Sequence, residues 1–220
     1  SGMSIFDTLR AKYSRPDMAF GEVVESSTVK FDVCAYDHEV TPQHGAFVLV
    51  NCDRILVVGV VIRSEMCAAP GLPRVPQRLR MTRDELKKRY PDLRDNILDI
   101  YTAVVVGYCS YRGIVQSLPP EKPRIHDLAF ILDKDHVLEF LNPQGNGIQM
   151  NYLPLLTVPV AAVEMPFVIE RHLRFLSEFL EPQYKSELFR ALCTSVNEHF
   201  KGDTAALLLK IGRKTLLEGL

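Results

Sequence analysis

The sequence lacks the features of a membrane-spanning, disulfide-rich or zinc-ribbon protein. No apolar run approaches the roughly 18 residues that a transmembrane helix needs, and no leader-like segment is present. The five cysteines are odd in number and widely spaced, without a CxxC pair. Such spacing favours reduced thiols over a disulfide framework or a metal ribbon. We therefore expect a cytoplasmic protein that does not bind a membrane.

The sequence also lacks an excess of charge and a phosphate-binding loop. It carries 26 basic against 27 acidic residues, which predicts no overall attraction to nucleic acid. No GxxxxGK[ST] motif occurs, and the nearest approach is GRKT at residues 212–215. Arg213 interrupts that motif, and the segment lies in a predicted helix whose backbone donors are already used. We predict no nucleotide hydrolysis, no cofactor and no enzymatic activity.

The residues that are present predict a globular protein organised around residues 101–132. The chain has 220 residues and is 47% hydrophobic, enough for one sizeable core. Residues 102–108 form a continuous apolar run, typical of a buried strand. Residues 29–36 alternate strictly between apolar and polar side chains, as a half-buried strand does. Both patterns predict a β-sheet.

Further strands complete the predicted sheet. Gly59 lies inside one of them and predicts a bulge or a sharp bend, which a small closed barrel needs at its corners. The segment 133–136 (DKDH) is interpreted as a hairpin loop. The other predicted strands cover residues 20–26, 46–50, 55–62, 129–132, 137–141 and 157–164.

Residues 67–80 interrupt the strand pattern with three prolines and one glycine, which predicts a long excursion from the sheet. Thr82 followed by Glu85 has the spacing of a reciprocal helix cap, so a helix is predicted from there to Pro91. A second short helix is predicted over residues 92–100.

Beyond Pro166 the apolar period changes from two to 3.6, which predicts three helices. The predicted fold class is α+β: a small, mostly antiparallel β-barrel with a helical insertion, followed by a C-terminal bundle of about three helices. The predicted organisation is an N-terminal arm over residues 1–18 and a barrel domain over 19–165. The insertion covers 66–100, and the helical domain covers 166–220.

Several segments resemble a known family. The opening GEVVESSTVKFDV, followed by GAFVLV and ILVVGVVIRSE, resembles the HAS-barrel at the N-terminus of HerA-type DNA translocases and of ATP synthase catalytic subunits. The later block AVVVGY…GIVQSLPPEKPRIHDLAFI resembles the segment that completes this barrel in HerA-like proteins. The resemblance covers residues 19–165, and it implies a small barrel with an oligomerisation or docking role.

The chain departs from that family where the motor would begin. A HerA-type protein continues into a RecA-like ATPase, whereas this chain continues into some fifty residues of helical pattern. The resemblance therefore implies a non-catalytic assembly module that acts beside a HerA-type ATPase or its nuclease partner in DNA-end processing. A nucleic-acid-binding protein and an enzyme with an unrecognised site are the alternatives.

A basic segment supports the nucleic-acid alternative. Between residues 74 and 89, seven basic side chains stand against only two acidic ones, which suits contact with a phosphate backbone. The segment holds no aromatic side chain for base stacking, and the competing interpretation is a solvated helix face. The seven residues are Arg74, Arg78, Arg80, Arg83, Lys87, Lys88 and Arg89.

Two reactive constellations are weaker hypotheses. Histidine and carboxylate side chains in the stretch 126–136 suit a divalent metal, although a solvated turn explains them equally well. Those residues are His126, Asp127, Asp133, Asp135 and His136. Cys34, Cys109 or Cys193 is a conceivable nucleophile, but cysteine is commonly a small core residue.

The last predicted helix, residues 205–217, is apolar nearly all round. A helix without a polar face must be buried in its own chain or in a partner. We expect packing on the two preceding helices together with a symmetric dimer contact. The candidate interface residues are Leu207, Leu208, Leu209, Ile211, Leu216 and Leu217.

Overall fold

The computed structural model describes residues 2–71 and 76–218, which form seven strands and seven α-helices. The strands are β1 (Gly21–Ser26), β2 (Lys30–Ala35), β3 (Phe47–Asn51), β4 (Leu56–Ala68), β5 (Ile97–Ser110), β6 (Gly113–Val115) and β7 (Leu128–Ile131). The helices are α1 (Ile5–Lys12), α2 (Arg83–Arg89), α3 (Lys134–Leu141), α4 (Leu153–Thr157), α5 (Met165–Phe179), α6 (Lys185–His199) and α7 (Gly202–Gly212). A π-helical turn (Arg213–Leu217) continues α7.

Six of the strands close into an antiparallel barrel in the order β1-β2-β5-β4-β3-β7, with β7 returning to β1. The short β6 lies outside this ring and pairs only with β5. Closure leaves no unpaired edge within the ring, which removes a route to aggregation. The predicted antiparallel barrel in an α+β chain is confirmed.

Apolar side chains from all six strands meet inside the barrel. Phe31 and Val33 point inward from β2, as the alternation predicted, and both are buried. The central strands β3, β4 and β5 are buried on both faces, because their outward side chains pack under the helices. This double burial explains why residues 102–108 are continuously apolar.

The helices cover one side of the barrel around an aromatic cluster. Phe47 on β3 contacts the rings of Phe140 on α3, Tyr152 and His172 on α5, at centroid distances of 5.0–5.7 Å. One apolar core therefore joins the barrel wall to the helical layer. Among the described residues, no helix has the length and apolar character required to cross a bilayer.

The N-terminal arm is held by Tyr13. Its hydroxyl lies 2.6 Å from Nδ1 of His136 and accepts from the backbone N–H of Asp133 at 3.1 Å. The Asn51 amide donates to the Tyr13 carbonyl at 2.7 Å. The N-terminal arm contains α1, which buries Phe6.

Two segments predicted as strands after β7 do not form strands. The segment 133–136 is not a hairpin loop, because α3 begins directly after Asp133 and buries Val137, Phe140 and Leu141 along one face. Thr157 ends α4, and residues 158–164 form turns and bends rather than a strand. Because β7 already closes the ring, no edge of the ring remains for them to pair with. Helices thus begin well before residue 166.

The insertion is also narrower than predicted. β4 continues to Ala68 and β5 begins at Ile97, so the two strands project beyond the ring as a paired arm. The helix predicted over 92–100 reduces to a 3-10 turn at Leu93–Asn96, because the cross-strand ladder takes the residues that follow. The reciprocal cap of Thr82 and Glu85 at the start of α2 is confirmed.

Gly59 sits at a β4 register shift, as predicted, and faces the barrel interior. A Cβ atom there would lie 2.8 Å from Cζ of Phe31. We expect Gly59→Ala to lower the free energy of unfolding by about 1–3 kcal/mol through overpacking. Phe31→Leu opens space beside Gly59. In that background, Gly59→Ala should lower the free energy of unfolding by a smaller amount. Urea unfolding of the wild type, the two single variants and the double variant measures the coupling between the two positions. Additive losses of stability would contradict the predicted overpacking.

Candidate functional site

A cavity with a volume of about 830 Å³ lies at the root of the β4–β5 arm. One wall is the arm itself, and the opposite wall is α2 with the 3-10 turn that follows it. The loop after β2 closes one end, where Lys87 on α2 forms an ion pair with Glu39. We call this space the arm-root cavity. Its walls come from three separate parts of the chain.

The floor of the arm-root cavity holds a buried carboxylate. Asp99 is only 4% exposed, and its Oδ2 accepts a hydrogen bond from the Tyr101 hydroxyl at 3.3 Å. Nδ1 of His38 approaches the same oxygen at 3.4 Å. Burial raises the pKa of Tyr101, so its hydroxyl keeps the proton that it donates.

A second polar group on the arm has the residue types of an acyl-transfer site but the wrong proton arrangement. Nε2 of His44 lies 2.8 Å from Oγ of Ser64, which also lines the cavity. A guanidinium N–H of Arg171 faces Nδ1 of His44 at 3.4 Å, so Nδ1 must be the acceptor. Nε2 then carries the proton and donates to Ser64. Burial and the Arg171 charge lower the pKa of His44, which further opposes a histidinium.

This tautomer leaves the serine hydroxyl unactivated. A general base needs a free lone pair toward the nucleophile and an acidic group behind it to stabilise the imidazolium. His44 has a proton toward Ser64 and a cation behind it. The pair therefore positions the arm against α5, and its geometry does not favour nucleophilic catalysis.

The described part of the basic segment is fully on the surface. Arg78, Arg80, Lys88 and Arg89 are exposed, while the exposed Arg83 and Lys87 lie at the rim of the arm-root cavity. Arg74 lies outside the described residues. The described basic residues therefore lie in one segment outside the barrel. Asp37, Glu39 and Glu65 beside the rim offset part of their positive charge.

The histidine and carboxylate residues of 126–136 do not form a metal site. His126 pairs with Glu22 on β1, while His136 contacts Tyr13. Lys12 forms an ion pair with Asp133. No group of three or more potential ligand side chains comes together anywhere in residues 2–71 and 76–218. These side chains link neighbouring elements instead.

The three cysteines considered as nucleophiles all have a raised thiol pKa. Burial is the main cause at each, and it raises the pKa of Cys109 to about 12. A nearby Arg213 charge lowers the pKa of Cys193 without cancelling that effect. Because the thiolate is the reactive form, these environments disfavour nucleophilic chemistry.

The leucines of α7 divide into two groups. Leu208 and Leu216 are buried in the chain's own core, where α7 contacts both α5 and α6. Leu209, Ile211 and Leu217 are half-buried, and Leu207 is 41% exposed. The predicted packing on the preceding helices is therefore present, and it uses most of the apolar surface that the helix carries.

The segment 212–215 is helical, as predicted, so its backbone donors are not arranged to bind phosphate. Gly212 contributes to packing instead. A Cβ atom at this position would overlap the side chain of Leu192 on α6. The glycine allows the two helices to approach closely.

Sequence reasoning missed the cluster of His38, Asp99 and Tyr101. His38 is 61 residues away from Asp99 in the chain, and the arm brings the two together. One signal was available: Asp99 is a lone charge between Leu98 and Ile100 at the start of an apolar strand. A charge in such a position usually has a structural or functional partner.

A scan against models of known protein families finds no match to this chain, and a search of curated proteins finds no relative.

Proposed function

We propose that the protein is a non-catalytic assembly module, comparable to the barrel of HerA-type DNA translocases. The observation that carries this proposal is a closed barrel filled by its own side chains and buried on its outer face under helices. Such a unit is rigid and has a side-chain core where a ligand-carrying barrel has a cavity. We therefore assign the binding role to its outer surface rather than to its interior.

The chemistry of the polar groups supports the same conclusion. His44 directs a proton toward Ser64, which opposes activation of the hydroxyl. Burial raises the thiol pKa of Cys109, which opposes a thiolate. A binding role needs neither group to react.

The segment that leads into α5 is the contact surface that we assign to a partner. Val158, Val163 and Phe167 are 57%, 77% and 63% exposed within ten residues of chain. Concentrated exposed apolar side chains are typical of protein-binding surfaces. We call these three side chains the α5 entry patch.

We further propose that α5, α6 and α7 form a three-helix bundle that stiffens this surface, and that the chain forms a dimer. Leu207 and the half-buried residues of α7 are the part of that helix left for a second copy. Light scattering should then show twice the monomer mass, and Leu207→Ser should shift the protein toward monomer. A monodisperse monomer at high concentration would exclude the dimer.

The assembly role is tested by co-elution with a HerA-type ATPase, and with its nuclease partner, from the same genome. We expect a complex in size-exclusion chromatography that Val163→Ser with Phe167→Ser weakens by about tenfold or more, because central apolar contacts dominate such interfaces. Arg78→Ala with Arg89→Ala is the matched control and should leave the complex intact. Failure of both proteins to co-elute would refute the proposal.

The exposed basic segment favours a second candidate function, nucleic-acid binding. Five described cations, Arg78, Arg80, Arg83, Lys88 and Arg89, face solvent on one excursion. If all five contact phosphates, affinity for a DNA duplex should fall roughly 500-fold between 50 and 200 mM salt. Fluorescence anisotropy measures this dependence.

The control for DNA binding is an exposed arginine elsewhere on the surface. Arg80→Ala should reduce both affinity and salt dependence, whereas Arg112→Ala beside β6 should change neither. Equal effects of the two substitutions would assign any binding to general charge. No measurable binding at low salt would remove this second function.

A further inference from the structure

We propose that the arm-root cavity binds a small organic cation, namely a primary ammonium group carried on an apolar or aromatic body. This ligand role goes beyond the assembly function and does not depend on it. The observation that carries it is the Asp99 carboxylate on the cavity floor. One of its two oxygens is left without a protein donor.

The carboxylate is incompletely satisfied. Oδ2 of Asp99 receives both recorded contacts, from Tyr101 and from His38, and both are long at 3.3 and 3.4 Å. Oδ1 has no hydrogen-bond partner among the described residues. Among the described residues, Oδ1 is not one of the fully buried, unpartnered side-chain atoms, so it is open to a ligand that brings N–H donors. A charge-assisted hydrogen bond to this oxygen would stabilise the complex.

No lysine or arginine of the described chain neutralises the floor. Lys87 is engaged with Glu39 at the rim, and Arg83 and Arg94, which also line the cavity, are exposed. Asp37, which is half-buried, adds a second carboxylate to the lining. The lining carries four carboxylates against three basic side chains, so its net charge is negative and favours a cationic ligand.

The walls fit the body of such a ligand. Leu86, Leu93 and Ile97 supply apolar surface, and Tyr90 and Tyr101 supply aromatic rings that attract cations. The volume of about 830 Å³ lies within the range of small-molecule cavities. It accommodates an aromatic amine with space for substituents.

The free oxygen also selects between cations. A guanidinium binds best through two parallel hydrogen bonds to both carboxylate oxygens. At Asp99, Oδ2 is already occupied by Tyr101 and His38, so only Oδ1 remains. A single ammonium donor fits this arrangement, and a guanidinium fork does not.

The test is a titration of the full chain with phenethylamine, followed by ¹H–¹⁵N NMR. We expect saturable shifts at the amides of Asp99 and Tyr101. The neutral isostere 2-phenylethanol and the anion 3-phenylpropionate should bind at least about tenfold more weakly, since they lose the charge-assisted hydrogen bond. Affinity for the alcohol equal to that for the amine would overturn the proposal.

Two variants distinguish the contribution of the cavity floor to ligand binding from that of the cavity rim. Asp99→Asn should weaken phenethylamine binding at least about tenfold, whereas Glu65→Gln at the exposed rim should change it by no more than about twofold. Thermal unfolding checks that each variant is folded. If Asp99→Asn does not fold, Leu86→Trp fills the cavity from the α2 wall and should abolish binding. Binding that survives in a folded Asp99→Asn or Leu86→Trp variant would refute the site.

One further titration distinguishes a free amine from a basic side chain on a protein partner. N-acetyl-Phe-Lys-amide presents the same ammonium group on a peptide. Tighter binding of phenethylamine than of this peptide supports a small-molecule ligand. Binding of the peptide without binding of the free amine would reject the small cation.

Discussion

Replacing Leu208 with alanine is expected to lower the free energy of unfolding by about 2–5 kcal/mol, the usual cost of removing a buried leucine. Leu208 is fully buried where α7 packs on α5 and α6. The loss combines the transfer free energy of the side chain with the cavity that it leaves. Urea unfolding monitored by circular dichroism measures it.

The neighbouring leucine is the matched control. Leu207 is 41% exposed, so Leu207→Ala should change the stability of the monomer by no more than about 0.5 kcal/mol. If α7 mediates a dimer, the effect of Leu207→Ala will grow with protein concentration, because dissociation then contributes to unfolding. Equal costs for the two substitutions at every concentration would contradict the burial pattern of α7.

Acidification from pH 6.5 to about 4 is expected to remove about 3 kcal/mol of stability through His172 alone. Burial lowers the pKa of His172 to about 4, although the Gly45 carbonyl partly offsets this effect. In that pH range the unfolded chain protonates the imidazole and the folded chain does not. The stabilisation is complete above pH 6.5 and is lost as the pH falls toward 4.

The hydrogen bonds of His172 explain why its neutral form is required. A carbonyl only accepts, so Nδ1 of His172 donates to Gly45 at 2.8 Å. Nε2 must then accept from the Tyr152 hydroxyl at 2.6 Å. Burial raises the pKa of Tyr152, so the hydroxyl keeps its proton. A proton on Nε2 would force the Tyr152 hydroxyl to accept instead, and among the described residues the hydroxyl proton would then have no other recorded acceptor in the core.

Comparison with His172→Asn isolates this residue from the other titrating groups. The variant lacks the titrating ring, so the stability difference between the two proteins should shrink by about 3 kcal/mol as the pH falls from 7 to 4. Chemical unfolding at a series of pH values gives both curves. Parallel curves would show that another group controls the acid sensitivity.

The hydrogen bond between His172 and the Gly45 carbonyl depends on a close approach that only the tertiary structure provides. The φ of Gly45 is +93°, and a Cβ atom there would lie 2.6 Å from the Arg171 carbonyl. Only glycine allows the loop before β3 to approach α5 this closely. The carbonyl that holds His172 depends on that approach.

The local sequence pattern was enough to predict the elements in which buried and exposed residues alternate regularly or in which a short motif marks the boundary. The alternation around Phe31 and Val33 and the cap formed by Thr82 and Glu85 are both present in the structure. So is the bulge at Gly59. These features depend on neighbours within a few residues, so the sequence by itself determined them.

The parts of the fold that local pattern did not predict depend on pairing between segments that are distant in the chain. Residues 157–164 carry a strand-like pattern, but the barrel closed at β7 and left them no partner edge in the ring. Cys67 lies in a segment that was expected to leave the sheet, yet its ladder with Leu98 extends β4 into an arm. That arm buries Asp99 and brings it to His38, which no periodicity in the chain encodes. The sequence therefore determined the barrel strands, while tertiary packing alone created the cavity, because its walls meet only after the ring has closed.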